Sequence, residues 1–380
     1  MDRDQHITQD AAEFYAVYLM AKTAEEMGVA ILPHSKELWQ EFVDYLAIAH
    51  RDWAISDFGS RYPAYKANAD AQVPAFVQRL AVAFPGSKFA FEVDEARLRN
   101  LGKKADFILT IDEPSRTYAV SLKNYVGPGG VKRPQVSSGT FLSFAAGFVF
   151  ERNGVGTYVD PRTPDTSFKG SNTKDRDAVL AFEGRADLAP LLMKLVDLQQ
   201  HVRSRLLTLR YYDQAAVKGV VAEIVPQAQD TLLSVFDVLG HDVVRQKFLE
   251  RANLDGGEDA LYFDGLQFAD SITNPRFREL YARINDPNTT FKVVKAGQSL
   301  RFSFEANGAV VVSADVPLTI NTNGAWHRPK PPYQGKQLKV DKGVPVELEW
   351  GEIRPRKSKE IATSTNLYLD LAAAGVFGGS

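Results

Sequence analysis

The sequence predicts a mixed α/β protein, with helices first, a strand-rich core next, a mainly helical middle and a β-rich carboxyl-terminal region. Four observations carry that prediction. Apolar residues recur at helical spacing before residue 84, form strand-like segments at Lys88–Val93, Asp106–Ile111 and Thr117–Lys123, and return to helical spacing from about 176 to 254. From about residue 290 the chain turns to strand formers, as in Phe291-Lys-Val-Val, Ser299-Leu-Arg-Phe-Ser-Phe and Ala309-Val-Val-Val-Ser.

Residues 8–50 read as two amphipathic helices. The second follows Ser35 as N-cap and carries Leu38, Trp39, Phe42, Val43, Tyr45 and Leu46 on one stripe. A third helix over about 70–84 ends at the turn signal Pro85-Gly86. Lys88 to Val93 then alternates like a strand, Asp106 to Ile111 is an apolar run, and Thr117 to Lys123 is another strand. Asp112-Glu113-Pro114-Ser115 between the last two has the composition of a hairpin turn. After the glycine-rich Val126–Gly130, a helix is expected over about 134–150, with Pro134 suited to its first turn. Residues 153–176 are polar and read as a loop or a boundary. The expected organisation is amino-terminal helices over 1–69, a core over 70–170, a mostly helical region over 171–289 and a β-rich region over 290–380.

Composition excludes several functions. Lys plus Arg is 45 and Asp plus Glu is 47 in 380 residues, a formal charge of −2. Bulk charge therefore does not hold this chain to a polyanion, and a nucleic-acid site must be a local basic patch. Cysteine is absent, which removes disulfides, a thiolate nucleophile and Cys-ligated metals. The six histidines (His6, His34, His50, His201, His241, His327) form no His-X-X-X-His or His-Glu-X-X-His pair, and no Gly-X-Ser-X-Gly elbow or dinucleotide fingerprint occurs. The first ten residues show no apolar leader, and the apolar stretch Phe141–Phe150 is far shorter than the about 20 residues a bilayer needs. A cytoplasmic protein without a membrane partner is expected.

The segment with chemistry is Asp106-Phe-Ile-Leu-Thr-Ile, a turn, then Ser121-Leu122-Lys123. Ser121 and Lys123 lie two apart on one strand and share a face, with Val120 and Leu122 on the other. Two adjacent antiparallel strands can thus bring a carboxylate, a hydroxyl and an ammonium to one point. A carboxylate there can hold Mg²⁺, and a lysine can orient an attacking water.

This pattern resembles the PD-(D/E)XK nuclease superfamily, whose signature is an acid, a spacer, and (D/E)-X-K on the following strand. Ala105-Asp106 stands where Pro-Asp is usual, and Ser121-Leu122-Lys123 where (D/E)-X-K is usual. The resemblance covers about residues 70–160 and includes the order helix, strand, hairpin, helix. It implies a restriction-endonuclease-like mixed sheet core flanked by helices. It further implies Mg²⁺-dependent hydrolysis of double-stranded DNA by a homodimeric type II restriction endonuclease. Asp106 would bind the metal, Lys123 would orient the water, and Ser121 would fill the place of the second acid. For the missing acid the resemblance offers Glu92, on the preceding strand, ahead of Glu151 at the far end of the expected helix, and Ser121 as a weak or water-mediated metal ligand stays open beside them.

Two basic segments suit DNA. Lys132 and Arg133, followed by Gln135, Ser137, Ser138 and Thr140, lie at the start of the expected 134–150 helix, where N–H groups favour phosphate. The same stretch also reads as a plain strand-to-helix connection. Asn321, Asn323, Trp326, Arg328 and Lys330 interleave amides, an aromatic and cations, as a DNA-facing loop does; a polar hairpin loop has the same composition. Two other functions stay open: a non-cleaving DNA-binding protein on the same fold, and a binding module unrelated to nucleic acid.

Overall fold

A computed structural model describes residues 3–49, 63–93, 106–124, 135–152, 158–160, 163–168, 186–252, 254–255, 259–263, 268–322, 325–326, 336–341, 344–349, 361–371 and 374–376. The chain opens with helices α1 (Arg3–Glu26), α2 (Ser35–Ala49) and α3 (Pro63–Ala83). Strands β1 (Phe89–Glu92), β2 (Phe107–Ile111) and β3 (Arg116–Asn124) follow, then β4 (Gln135–Gly139) and helix α4 (Phe141–Val149). Short strands β5 (Glu151–Arg152), β6 (Tyr158–Asp160) and β7 (Thr163–Phe168) form a small sheet of their own. Helices α5 (Ala189–Leu207), α6 (Gln214–Leu239) and α7 (His241–Ala252) lead to β8 (Asp259–Phe263), β9 (Phe268–Asp270) and helix α8 (Pro275–Ile284). The remainder is β10 (Thr290–Ala296), β11 (Ser299–Ala306), β12 (Ala309–Asn321), the hairpin β13 (Lys336–Asp341) with β14 (Val344–Glu349), and β15 (Ala362–Asp370).

The fold is mixed α/β, built on two five-stranded sheets. The first has the order β1-β2-β3-β8-β9, antiparallel except that β3 and β8 run parallel. The second, β10-β11-β12-β15-β4, is antiparallel throughout. One face of the first sheet is apolar at Phe89, Phe91, Phe107, Leu109, Val120 and Leu122, and it buries these against Tyr15, Met20, Phe42, Phe76 and Leu80 of α1–α3. Period-2 alternation decides this: every second residue of β1–β3 goes to the helices, and the others face away. On that opposite face, Tyr262 of β8 stacks on Phe277 of α8 at 5.9 Å, and α8 also packs on β12. Helix α8 thereby joins the two sheets.

The second core is aromatic. Phe302 of β11 stacks on Phe148 of α4 and Phe248 of α7, with ring centroids at 6.0 and 4.8 Å. No helix among the described residues is long and apolar enough to cross a membrane.

Several expectations need correction. The helix expected over 134–150 is strand β4 followed by α4. Thr140 is the N-cap, accepting from the Ser143 amide at 3.1 Å while the Ser143 hydroxyl accepts from the Thr140 amide at 2.7 Å. Val136, Ser137 and Ser138 are weak helix formers, and pairing with β15 decides their state. Gln135, Ser137 and Ser138 therefore do not sit at a helix start. Residues 158–168, read as loop, contain β6 and β7. Helix α3 begins at Pro63 rather than near 70, because its first turns carry no apolar stripe to announce them. The sheets also trade strands across the expected boundaries, since β8 and β9 extend the first sheet and β4 joins the second.

Ser35 does not cap α2 with its own hydroxyl. Glu25 of α1 accepts from the Ser35 hydroxyl at 2.5 Å, the Ser35 amide at 2.7 Å and the His34 amide at 2.7 Å, so a carboxylate caps α2 from the neighbouring helix. Burial works to raise the Glu25 pKa, but these donors outweigh it and hold the carboxyl below its ordinary range. A depressed folded-state pKa gives stability that is present above the unfolded value and lost as pH falls through the folded one. Glu25→Gln should therefore melt below the wild type at neutral pH, and the gap should close on titration from about pH 7 to about pH 3. A gap independent of pH contradicts the assignment.

Candidate active site

Phe107 lies opposite Val120 in the β2–β3 ladder, and the Asp106 amide donates to the Val120 carbonyl at 2.9 Å. Asp106 therefore stands next to Ser121. Phe107, Val120 and Leu122 take the helix-covered face, which sends Asp106, Ser121 and Lys123 to the other. There the Asp106 Oδ2 accepts from the Leu122 amide at 2.6 Å and from the Ser121 hydroxyl at 3.2 Å, and the Lys123 Nζ lies 3.8 Å away. The three residues that the sequence singled out do converge.

Burial grades across this group. Ser121 is 3% exposed, and the side chains of Asp106 and Lys123 keep 20% and 18% of their surface. The hydroxyl is thus enclosed, while the carboxylate and ammonium still reach solvent. Sequence reasoning missed what encloses them. Parallel strand β8 sets Ala260 beside Ser121 and Tyr262 beside Lys123. These residues follow about 140 positions later in the chain, and nothing in their local pattern marks them.

Glu92 ends β1 opposite Ile108, two residues from Asp106 on the same face of β2. Diagonal neighbours of this kind are about 7–8 Å apart between Cα atoms. Glu92 is exposed. Glu151 belongs to the separate sheet β5-β6-β7 and does not share this face.

Two further acids lie near the site in the fold without joining it. Asp259 opens β8 opposite Val120 and accepts from the Ser271 hydroxyl at 2.8 Å. Asp270 is fully buried on β9 and accepts from the Thr273 hydroxyl at 2.7 Å. Burial pushes its carboxyl above the ordinary range despite those hydrogen bonds. Both do structural work at the turn into α8.

Among the described residues no group of three or more His, Asp or Glu side chains is placed to cage a metal. Asp106 and Glu92 offer hard oxygen donors on one face of the sheet. Mg²⁺ is commonly held by one or two carboxylates, with waters and substrate phosphates completing the octahedron, so this set fits it.

The expected DNA-contact residues divide. Lys132, Arg133, Asn323, Arg328 and Lys330 lie outside the described residues, and Gln135 is on β4 opposite Tyr368. Asn321 ends β12, half-buried, opposite Ala362. Trp326 corrects the expectation outright. It is 1% exposed in the second core, with Tyr212 packed edge-on at 5.4 Å, so it anchors its segment instead of facing DNA. Its flanking polar composition hid a core residue.

No family model, no curated protein and no solved structure matches this chain.

Proposed function

We propose that this protein is a Mg²⁺-dependent endonuclease acting on double-stranded DNA, sequence-specific and homodimeric in the manner of a type II restriction enzyme. The observation that carries the reading is the convergence of Asp106, Ser121 and Lys123 at one point of the β2–β3 hairpin. Glu92 on the same face supports it, as does the order helix α3, strand β1, hairpin β2–β3. So does the mixed sheet, whose parallel β8 flanks the site beside β3. Helix α4 is a departure from the expected core, because it packs on the second sheet.

In this reading Asp106 and Glu92 hold the cation. When bound, Mg²⁺ supplies Lewis-acid polarisation of the phosphate and a more acidic water. Lys123 keeps an ammonium beside the Asp106 carboxylate, where a water or a phosphate oxygen can accept from it. The Leu122 amide and Ser121 hydroxyl fix the carboxylate's orientation by occupying Oδ2. Ser121 is a donor to Asp106 and not a replacement acid, so Ser121→Ala should retain cleavage with a loss below about tenfold, near 1 kcal/mol for one neutral hydrogen bond. Loss of cleavage in a folded Ser121→Ala protein, followed as an initial rate, argues that the hydroxyl meets the reacting groups directly.

A non-cleaving DNA-binding protein is favoured by one specific observation: of the hairpin's acids only Asp106 stands beside Ser121 and Lys123, while Asp112 and Glu113 lie in its turn. One experiment separates the readings. A labelled duplex is titrated with protein in EDTA at two salt concentrations, and Mg²⁺ is then added to the complex. Salt-dependent binding followed by cleavage supports the endonuclease. Binding without cleavage selects the non-cleaving protein, and absence of binding selects a module unrelated to nucleic acid.

A further inference from the structure

The edge of β1 away from β2 is covered by the connection between α1 and α2. The Ile31 amide donates to the Phe89 carbonyl at 3.0 Å, and the Phe89 amide donates to the Val29 carbonyl at 2.8 Å. With the bridge between Ala30 and Phe89, this is a short parallel ladder. In such a ladder, donors to one strand come from every second residue of the other. After Ile31 the next donor, aimed at the Phe91 carbonyl, belongs to residue 33. That residue is Pro33, which has no N–H.

His34 supplies the missing donor from its side chain. Its Nε2 lies 2.7 Å from the Phe91 carbonyl oxygen, and its Nδ1 lies 2.7 Å from the Leu32 carbonyl oxygen. The Phe91 carbonyl oxygen only accepts, so Nε2 is the donor of that pair. The His34 amide is itself held by Glu25 at 2.7 Å. A chain of contacts therefore runs from α1 through Glu25 and His34 to Phe91, whose next residue is Glu92.

We propose that His34 is a positioning residue for the candidate active site: its Nε2–H supplies the ladder hydrogen bond that Pro33 cannot, and so holds the end of β1 where Glu92 shares a face with Asp106. Strand β1 is only four residues long, and Glu92 is its last and exposed member. A strand end held by few bonds frays readily, and removing a partner that orients a metal ligand commonly costs 10–100-fold in metal affinity or activity. The inference rests on the nuclease reading of the same site.

The test uses three variants of the full chain, H34A, H34Q and H34N. The glutamine amide nitrogen reaches about as far as Nε2 and can still donate to Phe91, whereas the asparagine nitrogen reaches only as far as Nδ1. Duplex cleavage is measured at one fixed pH as kcat, KM for DNA and the Mg²⁺ concentration giving half-maximal rate. H34A and H34N should lose about tenfold in kcat and require more Mg²⁺, with KM unchanged, while H34Q recovers most of the rate. If H34A does not fold, the contrast between H34N and H34Q carries the test. Wild-type cleavage with H34A unaffected, or with H34N and H34Q alike, overturns the inference and leaves the nuclease reading standing. A wild type that binds duplex but never cleaves it with Mg²⁺ overturns the nuclease reading, and the inference with it.

Discussion

Asp106→Ala is expected to abolish Mg²⁺-dependent cleavage while leaving duplex binding in EDTA largely intact. The carboxylate does three things at once: it accepts from the Leu122 amide, accepts from the Ser121 hydroxyl, and lies 3.8 Å from the Lys123 ammonium. In the proposed function it also holds the cation. Removing it strips the site of its best-oriented acid and leaves a mostly buried lysine without its counter-charge. The expected loss in rate is roughly 10³-fold, or ~4 kcal/mol in transition-state stabilisation. Affinity for DNA comes mainly from contacts to phosphates spread over a wide surface, so binding should persist. Asp106→Asn controls for shape, because it keeps the side chain's size and removes only its charge. A folded Asp106→Ala protein that cleaves at the wild-type rate ends the assignment.

The second large effect is on stability. Phe302 is fully buried on β11, and its ring meets Phe144 at 6.3 Å and Phe236 at 5.7 Å besides the stacked Phe148 and Phe248. It is the point where α4, α6 and α7 meet the second sheet. Phe302→Ala should cost about 4 kcal/mol in unfolding free energy, the sum of lost transfer energy and a cavity that rigid neighbouring rings cannot fill. Urea denaturation checks this as a lower midpoint at unchanged slope. A cost below about 1 kcal/mol would mean that the cluster repacks. The folded fraction should keep its catalytic rate, since Asp106 and Lys123 stand on the other sheet.

The difference between what the sequence announced and what it concealed follows from range. The β2–β3 hairpin was legible because its alternation, its turn and its polar residues are all local. The same holds for the pairing of Asp106 with Ser121 and Lys123, since a ladder through a four-residue turn leaves little choice of register. Strands β8 and β9 were not legible as partners of β3. The parallel pairing of Ser121 with Ala260 spans about 140 residues and leaves no mark on either segment alone. Residues 135–139 show the same limit in another form, because their strand state comes from β15, more than 220 residues away. Trp326 failed for a third reason. A single buried aromatic within a polar, basic stretch has the composition of a ligand-facing loop, and only its packing against Tyr212 assigns it to the core. His34 looked like an isolated histidine, because its partners are backbone carbonyls, which sequence motifs do not encode.

The most direct measurement is digestion of a long duplex DNA of known sequence by the purified wild type, once with Mg²⁺ and once with EDTA, resolved on a gel. Discrete fragments that appear only with Mg²⁺ are the predicted result, and mapping their ends gives the recognition site. Fragments that form equally in EDTA would contradict a cation-dependent centre at Asp106 and Glu92. Uncut DNA across many sequences, under conditions where the protein binds duplex, would contradict the endonuclease itself.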